Sequence, residues 1–195
     1  HGASWERYGT FCRSETIAAA LESDAVLVGA VGGPEWDGIK VDGGPEMQDG
    51  LMRLRKEMDA FVGLRPAKSY PALYGNTPFL HEHINGAQIL ILREMCGGIM
   101  FSNPRGMSAG EEGRYAYDTA SYSEKEIRRF ARAGFYFAQR SKGKLVSADK
   151  ANVMESYKLW RSVTEEVSAE FPEIIIQRKI EPKNAFSVFF ERSFN

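Results

Sequence analysis

Three arginines, Arg55, Arg65 and Arg93, give this chain its clearest chemical signature. Arg55 and Arg65 stand ten residues apart in LMRLRKEMDAFVGLRPAK, which runs from Leu51 to Lys68. Arg93 follows in ILREMCGG, and Lys150 comes later in SADKANV. A guanidinium is a planar fork that binds a carboxylate through two parallel hydrogen bonds, which an ammonium cannot do. An ionised carboxylate held away from bulk water needs such charge-assisted partners. Three guanidiniums at the edges of helices and strands suit a small ligand with two or more carboxylates.

The elements that must hold these side chains can be read from periodicity. Ser14 to Glu22 reads as a short helix. AVLVGAV, Ala25 to Val31, is continuous and valine-rich, which predicts a buried strand. GGPEWDG breaks that pattern as a loop. A helix is expected from Met47 to Phe61, with Leu51, Leu54, Met58 and Phe61 along one face. Strands are expected at Leu64–Tyr70, ended by Pro71, and at Ala87–Glu94. GGIMFSNPRG and RYAYDTASY read as two extended arms. SEKE places a capping box at Ser123 and Glu126, opening a long helix whose apolar face is Ile127, Phe130, Ala131, Gly134, Phe137 and Ala138. A strand at Lys144–Ala148, a helix at about 153–170 and a strand at Ile174–Gln177 follow. Strands alternating with helices predict an α/β fold with a largely parallel sheet and flanking helices.

Bulk properties exclude several functions. The 195 residues carry 25 basic and 26 acidic side chains, a balance that argues against a general nucleic-acid or membrane-surface binder. No apolar run reaches the length of a membrane span. HGASWERYGT lacks the basic-then-apolar form of a signal peptide, and Cys12 and Cys96 make neither a disulfide scaffold nor a zinc motif. The expected location is a reducing cytoplasm. The chain begins at His1 in what reads as mid-domain sequence, so a fragment or processed chain is expected. His81 and His83 read as solvated loop histidines without metal partners. GGPEWDGIKVDGG follows neither phosphate-loop pattern. Phe130, Phe135, Tyr136 and Phe137 read as core, and Cys96 has no histidine motif beside it.

Four blocks carry a resemblance: DAVLVGAVGGPEWDG, LRKEMDAFVGLRPAKSYPAL, ILREMCGGIMFSNPRG and VSADKANVMESYKLWRSVTEEV. In this order and spacing they resemble the 3-isopropylmalate dehydrogenase branch of the β-decarboxylating dehydrogenases. They span most of Ala25 to Pro172. Tartrate, isocitrate and homoisocitrate dehydrogenases share the fold and the use of arginine. The resemblance implies an isopropylmalate-dehydrogenase-like fold, here incomplete, with a β-arm for dimerisation. Residues 1–60 would be a remnant of the nucleotide-binding domain, and residues 61–195 an incomplete substrate and dimerisation domain.

The resemblance also implies roles. Arg55, Arg65 and Arg93 would hold the malate carboxylates. Lys150 would assist proton removal from the substrate hydroxyl, which a lysine does only where burial or nearby cations favour its neutral form. Asn152 and Val153 would lie beside the nicotinamide of NAD, and Glu46 would be an acidic residue near the cofactor. Leu51 and Met52, one turn before Arg55, would read the γ substituent, and two apolar side chains suit a branched alkyl group such as isopropyl. A purely structural reading makes them the core-facing stripe of an amphipathic helix.

Two departures stand out against that family. Its general acid is a tyrosine in a GGIYFG-like segment, where this chain has GGIMFS and Met100. A thioether cannot donate a proton. Without rescue by water, Tyr115 or Tyr117, protonation of the enol left by decarboxylation should slow. Pro182, with Glu181 beside it, falls where the family places a metal-binding aspartate. No metal ligand set is expected in this chain, so the ligands of Mg2+ or Mn2+ would lie outside it.

The sequence therefore predicts NAD-dependent oxidative decarboxylation of 3-isopropylmalate to 2-oxoisocaproate, a step of leucine biosynthesis, by a homodimer. Two alternatives differ in kind. One is a truncated, catalytically silent dimerisation fragment, with little or no activity by itself. The other is a related tartrate- or malate-type decarboxylating dehydrogenase.

Overall fold

Residues 1–180 and 188–192 are described by the computed structural model. In chain order they form α1 (Gly2–Tyr8), α2 (Ser14–Leu21), α3 (Pro45–Gln48), α4 (Gly50–Glu57), β1 (Val62–Lys68), α5 (His81–Ile84), β2 (Gln88–Glu94), β3 (Gly106–Gly110), β4 (Gly113–Tyr117), α6 (Glu124–Gln139), β5 (Lys144–Asp149), α7 (Glu155–Ser168), β6 (Ile175–Ile180) and β7 (Val188–Arg192). Short 3-10 turns occupy Pro71–Asn76 and Gly98–Met100. The expectations for Glu181 and Pro182 lie outside the described residues. No helix among the described residues is long and apolar enough to cross a membrane.

Two units divide the chain, one made of His1–Phe61 and Met95–Ala120, the other of Val62–Glu94 and Ser121–Asn195. The first unit carries α1 to α4 and the β3–β4 hairpin. Its helix α4 begins where the Asp49 carboxylate accepts from the Leu51 and Met52 amides at 2.8 and 3.4 Å. That cap splits the expected Met47–Phe61 helix into α3 and α4, because a capping carboxylate starts a new helix rather than continuing one. Gly50 sits so close to the Phe11 carbonyl that a Cβ would stand 2.6 Å from it. Arg53 adds a hydrogen bond from Nη1 to the Cys12 carbonyl at 2.7 Å. Cap, close approach and hydrogen bond together fix the start of α4.

The Ala25–Val31 strand is not formed: these residues have no regular structure and Leu27 is fully exposed. A continuous apolar run becomes a buried strand only when neighbouring strands satisfy its backbone on both sides. No strand among the described residues pairs with it.

The second unit is a five-stranded sheet in the order β1-β2-β7-β5-β6. Within it β5–β6 runs parallel, while β1–β2, β2–β7 and β5–β7 run antiparallel. The expectation of a largely parallel sheet is corrected accordingly. A parallel pair needs a long crossover, and α7 supplies one between β5 and β6. Between β1 and β2 stand only the Pro71–Asn76 turn and the four residues of α5, so the chain returns antiparallel. Pro66, which has no amide to give, is tolerated because β1 lies at the sheet edge.

The core of this unit lies between the sheet and the α6–α7 pair. Leu92, Ile127, Phe135, Ala138 and Val167 are fully buried there, with Phe130, Leu145, Trp160, Val163 and Ile174 around them. Phe135 stacks on Phe171 at 5.1 Å between centroids. Phe130 and Phe135 are core as expected, whereas Tyr136 is 46% exposed under the Arg140 guanidinium. The capping box forms as the sequence predicts: Ser123 Oγ accepts from the Glu126 amide at 3.3 Å, and Glu126 Oε2 accepts from the Ser123 amide at 2.8 Å. Arg128–Glu166 links α6 to α7 at 2.5 Å and Arg132–Glu170 links α6 to the turn just after α7 at 2.8 Å, but in open solvent such pairs add little stability.

Candidate active site

Sheet topology brings three of the sequence-selected residues to one region of the second unit. β2 and β5 run in the same direction, because each is antiparallel to β7. Arg93 near the end of β2 and Lys150 just past the end of β5 therefore stand at the same edge of the sheet. Arg93 pairs with Gly63, and Arg65 lies two residues further along β1. Residues opposite each other in an antiparallel ladder point to the same face, as do residues two apart on one strand. Arg65 and Arg93 consequently share a face. Leu92 and its partner Leu64 take the other face, where Leu92 enters the core. The carboxyl ends of sheet strands are where open α/β folds bind ligands.

Lys150 is half-buried on a turn between β5 and α7. Its carbonyl accepts from the Val153 and Met154 amides, each at 3.1 Å. Asn152 and Val153 lie exposed on the same turn, Val153 at 66%. Asp149, immediately before Lys150, has a side chain 1% exposed. Its carboxylate accepts from the Ala151 amide at 2.9 Å and from Arg161 Nε and Nη2 at 3.0 and 2.5 Å. The same bond holds the Arg161 guanidinium's pKa above its ordinary value. This pair went unseen in the sequence. Its signal was an aspartate closing an apolar strand and an arginine beside the Trp160 that anchors the next helix.

Tyr122 and Tyr157 were also unseen. Tyr122 is packed edge-on to Trp160 at 5.2 Å. Burial pushes its phenol pKa well above the usual range, Tyr157, Glu94 and Glu126 push it further, and Arg93 opposes them. Tyr157 is raised too, by burial and by the Asp149 charge.

The remaining candidates lie in the first unit. Leu51, Met52 and Arg55 are all half-buried on α4, and Arg55 Nη1 reaches Met52 Sδ at 3.6 Å. Arg55 lies in the last turn of the helix, where a cation meets the negative end of the helix dipole. The Glu46 carboxylate accepts from Lys56 Nζ at 2.8 Å, and that hydrogen bond holds its pKa below the ordinary value. Met100 closes the Gly98–Met100 turn, and its carbonyl accepts from Arg105 Nη1 at 2.8 Å. Tyr115 and Tyr117 are exposed on β4 and stack at 6.3 Å. In the second unit, His81 and His83 are exposed on α5 rather than in a loop. Among the described residues no group of three or more His, Cys, Asp and Glu could hold a metal ion, so they do not by themselves fit a divalent metal.

Known proteins now bear on this arrangement. The isocitrate/isopropylmalate dehydrogenase family matches the chain over residues 1–189. The 3-isopropylmalate dehydrogenase of Xanthomonas campestris pv. campestris is 47% identical over 176 residues, which is 90% of this chain and 49% of that protein. The enzyme of the same name from Aquifex aeolicus is 42% identical over 90% of this chain and 48% of that one. The chain thus spans about half the length of the curated relatives it matches. Among solved structures, isocitrate dehydrogenase from Methylococcus capsulatus superposes with a TM-score of 0.67 at 22% identity, covering 92% of this chain and 49% of that one. The TT0538 protein from Thermus thermophilus gives 0.72 at 23% identity, over 91% of this chain and 33% of that one. These two likenesses speak for the α/β dehydrogenase fold. With the family match running nearly end to end, the chain belongs to the isocitrate/isopropylmalate dehydrogenase family.

Proposed function

We propose that this chain is the substrate-holding part of an NAD-dependent 3-isopropylmalate dehydrogenase. The observation that carries the reading is that Arg65 and Arg93 share one face of the β1–β2 ladder, while Arg93 and Lys150 stand at the same end of the sheet. Arg65 and Arg93 offer two guanidiniums on a shared face, which suits two carboxylates of one small acid. In the first unit, Arg55 is by resemblance a further carboxylate-binding candidate, and Leu51 and Met52 on the same helix are the candidates for reading the isopropyl group. Lys150 takes part in moving the proton from the 2-hydroxyl as C2 is oxidised. Loss of carbon dioxide then leaves an enol that must be protonated to give 2-oxoisocaproate, the leucine precursor. NAD, when bound, accepts the hydride from C2. Asn152 and Val153, an exposed amide and an exposed apolar side chain on the Lys150 turn, would lie beside its nicotinamide. Glu46 belongs near the cofactor in this reading, with Lys56 fixing its charge.

The working protein is a cytoplasmic homodimer in this account. The β3–β4 hairpin is exposed along every residue. A lone two-stranded ribbon with open edges is marginal in water, and strand pairing with a second copy would complete it. Residues 1–60 then belong with the nucleotide-binding domain and residues 61–195 with the substrate and dimerisation domain. Met100 favours a second reading, in which the protein binds the acid but decarboxylates poorly.

Complementation tests the proposal. Residues 1–176 are placed in the Xanthomonas campestris relative in exchange for its matching segment. The chimera is expressed in a leucine auxotroph lacking its own 3-isopropylmalate dehydrogenase. Growth without leucine is expected, slower than with the parent. No growth from a folded chimera, even after Met100→Tyr, would overturn the enzymatic reading.

A further inference from the structure

The turn that carries Lys150 is held from both sides. On the strand side, Asp149 ends β5, opposite Ile180 of β6, with its side chain 1% exposed. On the helix side, Trp160 and Val163 of α7 are buried at 6% and 1% and fix the position of Arg161 between them. The Asp149 carboxylate joins the two sides. Both of its oxygens accept from the Arg161 fork, and Oδ1 also accepts from the Ala151 amide, the first residue after Lys150. Lys150 therefore stands between two backbone positions that one carboxylate ties down. Its own carbonyl closes the turn through Val153 and Met154.

A pair kept for stability alone would not need this form. Apolar residues of similar volume often replace a buried ion pair at no cost to stability. What they cannot replace is the direction a bidentate fork imposes, since the planar guanidinium fixes the carboxylate in orientation as well as distance. We propose that the Asp149–Arg161 pair is a positioning device for Lys150, setting the turn so that the amine approaches the substrate from one fixed direction. This rests on the reading of Lys150 as the proton-transferring amine. Asp149 and Arg161 touch no reacting atom in it, and they act through the turn.

The test uses the 195-residue chain and no substrate. Two measurements are made on wild type, Asp149→Asn with Arg161→Met, and Arg161→Lys. One is hydrogen exchange at the Ala151, Val153 and Met154 amides. The other is the acetylation rate of Lys150 by acetic anhydride, taken relative to Lys144 by mass spectrometry. The double variant removes both partners, so its melting temperature should stay within a few degrees of wild type. Its turn amides should exchange about tenfold faster, and the Lys150 to Lys144 ratio should move about threefold or more. Arg161→Lys keeps the charge without the fork and should give an intermediate shift. If the double variant does not fold, Arg161→Lys decides the matter by the same two readouts. Unchanged exchange and an unchanged ratio in a folded variant would overturn the proposal. So would Lys150 and Lys144 speeding up together, which marks general loosening. Because nothing here depends on turnover, a chain inactive toward 3-isopropylmalate would sink the dehydrogenase reading and leave this result standing.

Discussion

Arg65 and Arg93 are diagonal neighbours on one face of the β1–β2 ladder, set there by the pairing of Gly63 with Arg93. Diagonal neighbours in such a ladder are roughly 7–8 Å apart at the backbone. Two cations at that spacing repel, and a bound dicarboxylate turns the repulsion into attraction. Arg65→Lys and Arg93→Lys should each weaken binding of 3-isopropylmalate by about ten- to a hundredfold, the weight of about 1.5–3 kcal/mol for a charge-assisted hydrogen bond. Arg65 is exposed, so its substitution should leave the melting temperature unchanged. Calorimetric titration of the chimera alongside thermal melts separates the two effects.

Leu51 and Met52 should set preference rather than rate. The Asp49 cap and the close packing of Gly50 fix α4, so a polar side chain at position 51 or 52 stays where the apolar one stood. Leu51→Ser should lower kcat/KM for 3-isopropylmalate relative to malate by about tenfold, since each methylene in an apolar pocket is worth roughly 1–3 kcal/mol. A ratio that does not move would return Leu51 to a core-packing role.

Met100→Tyr should restore a proton donor. General acids contribute about 10²–10⁴-fold, so 2-oxoisocaproate release should rise by at least about tenfold. The NADH burst of the first turnover should change far less, because hydride transfer precedes protonation of the enol. Rapid-quench measurement of both products distinguishes the steps. Equal gains in both would mean that residue 100 acts before decarboxylation.

Alkaline stability follows from Tyr122. Burial raises its phenol pKa in the folded chain above the ordinary value of about 10 that holds when unfolded. Below about pH 10 both states keep the proton and the stability is full. Above it the unfolded chain ionises while the folded one does not, so stability falls as pH rises. Tyr122→Phe should flatten the fall in urea midpoint between about pH 10 and 11. Tyr157 is raised in the same direction and should leave a residual slope.

Much of the second unit could be read from local chemistry. The α6 capping box, its apolar stripe and the strand at β5 are set by residues close in sequence, so they appear in it directly. Ala25–Val31 and the sheet's direction depend on which strand lies beside which, and an apolar run carries no record of its partner. The types of Arg65 and Arg93 were legible, but their shared face required the β1–β2 register. Asp149 and Arg161 stand twelve positions apart across a strand–helix joint, and neither falls on a hydrophobic period that would have drawn notice. The Glu46–Lys56 bond shows the converse, a residue selected by resemblance whose structural engagement only geometry reveals.

The central claim is that this chain supplies a pocket for 3-isopropylmalate, and steady-state kinetics of the chimera tests it most directly. With NAD and Mn2+ present, kcat/KM is measured for 3-isopropylmalate, malate and tartrate. The account predicts that 3-isopropylmalate exceeds the other two by at least about tenfold, the discrimination expected of apolar contacts to a branched alkyl group. Equal values, or a preference for tartrate or malate, would contradict it.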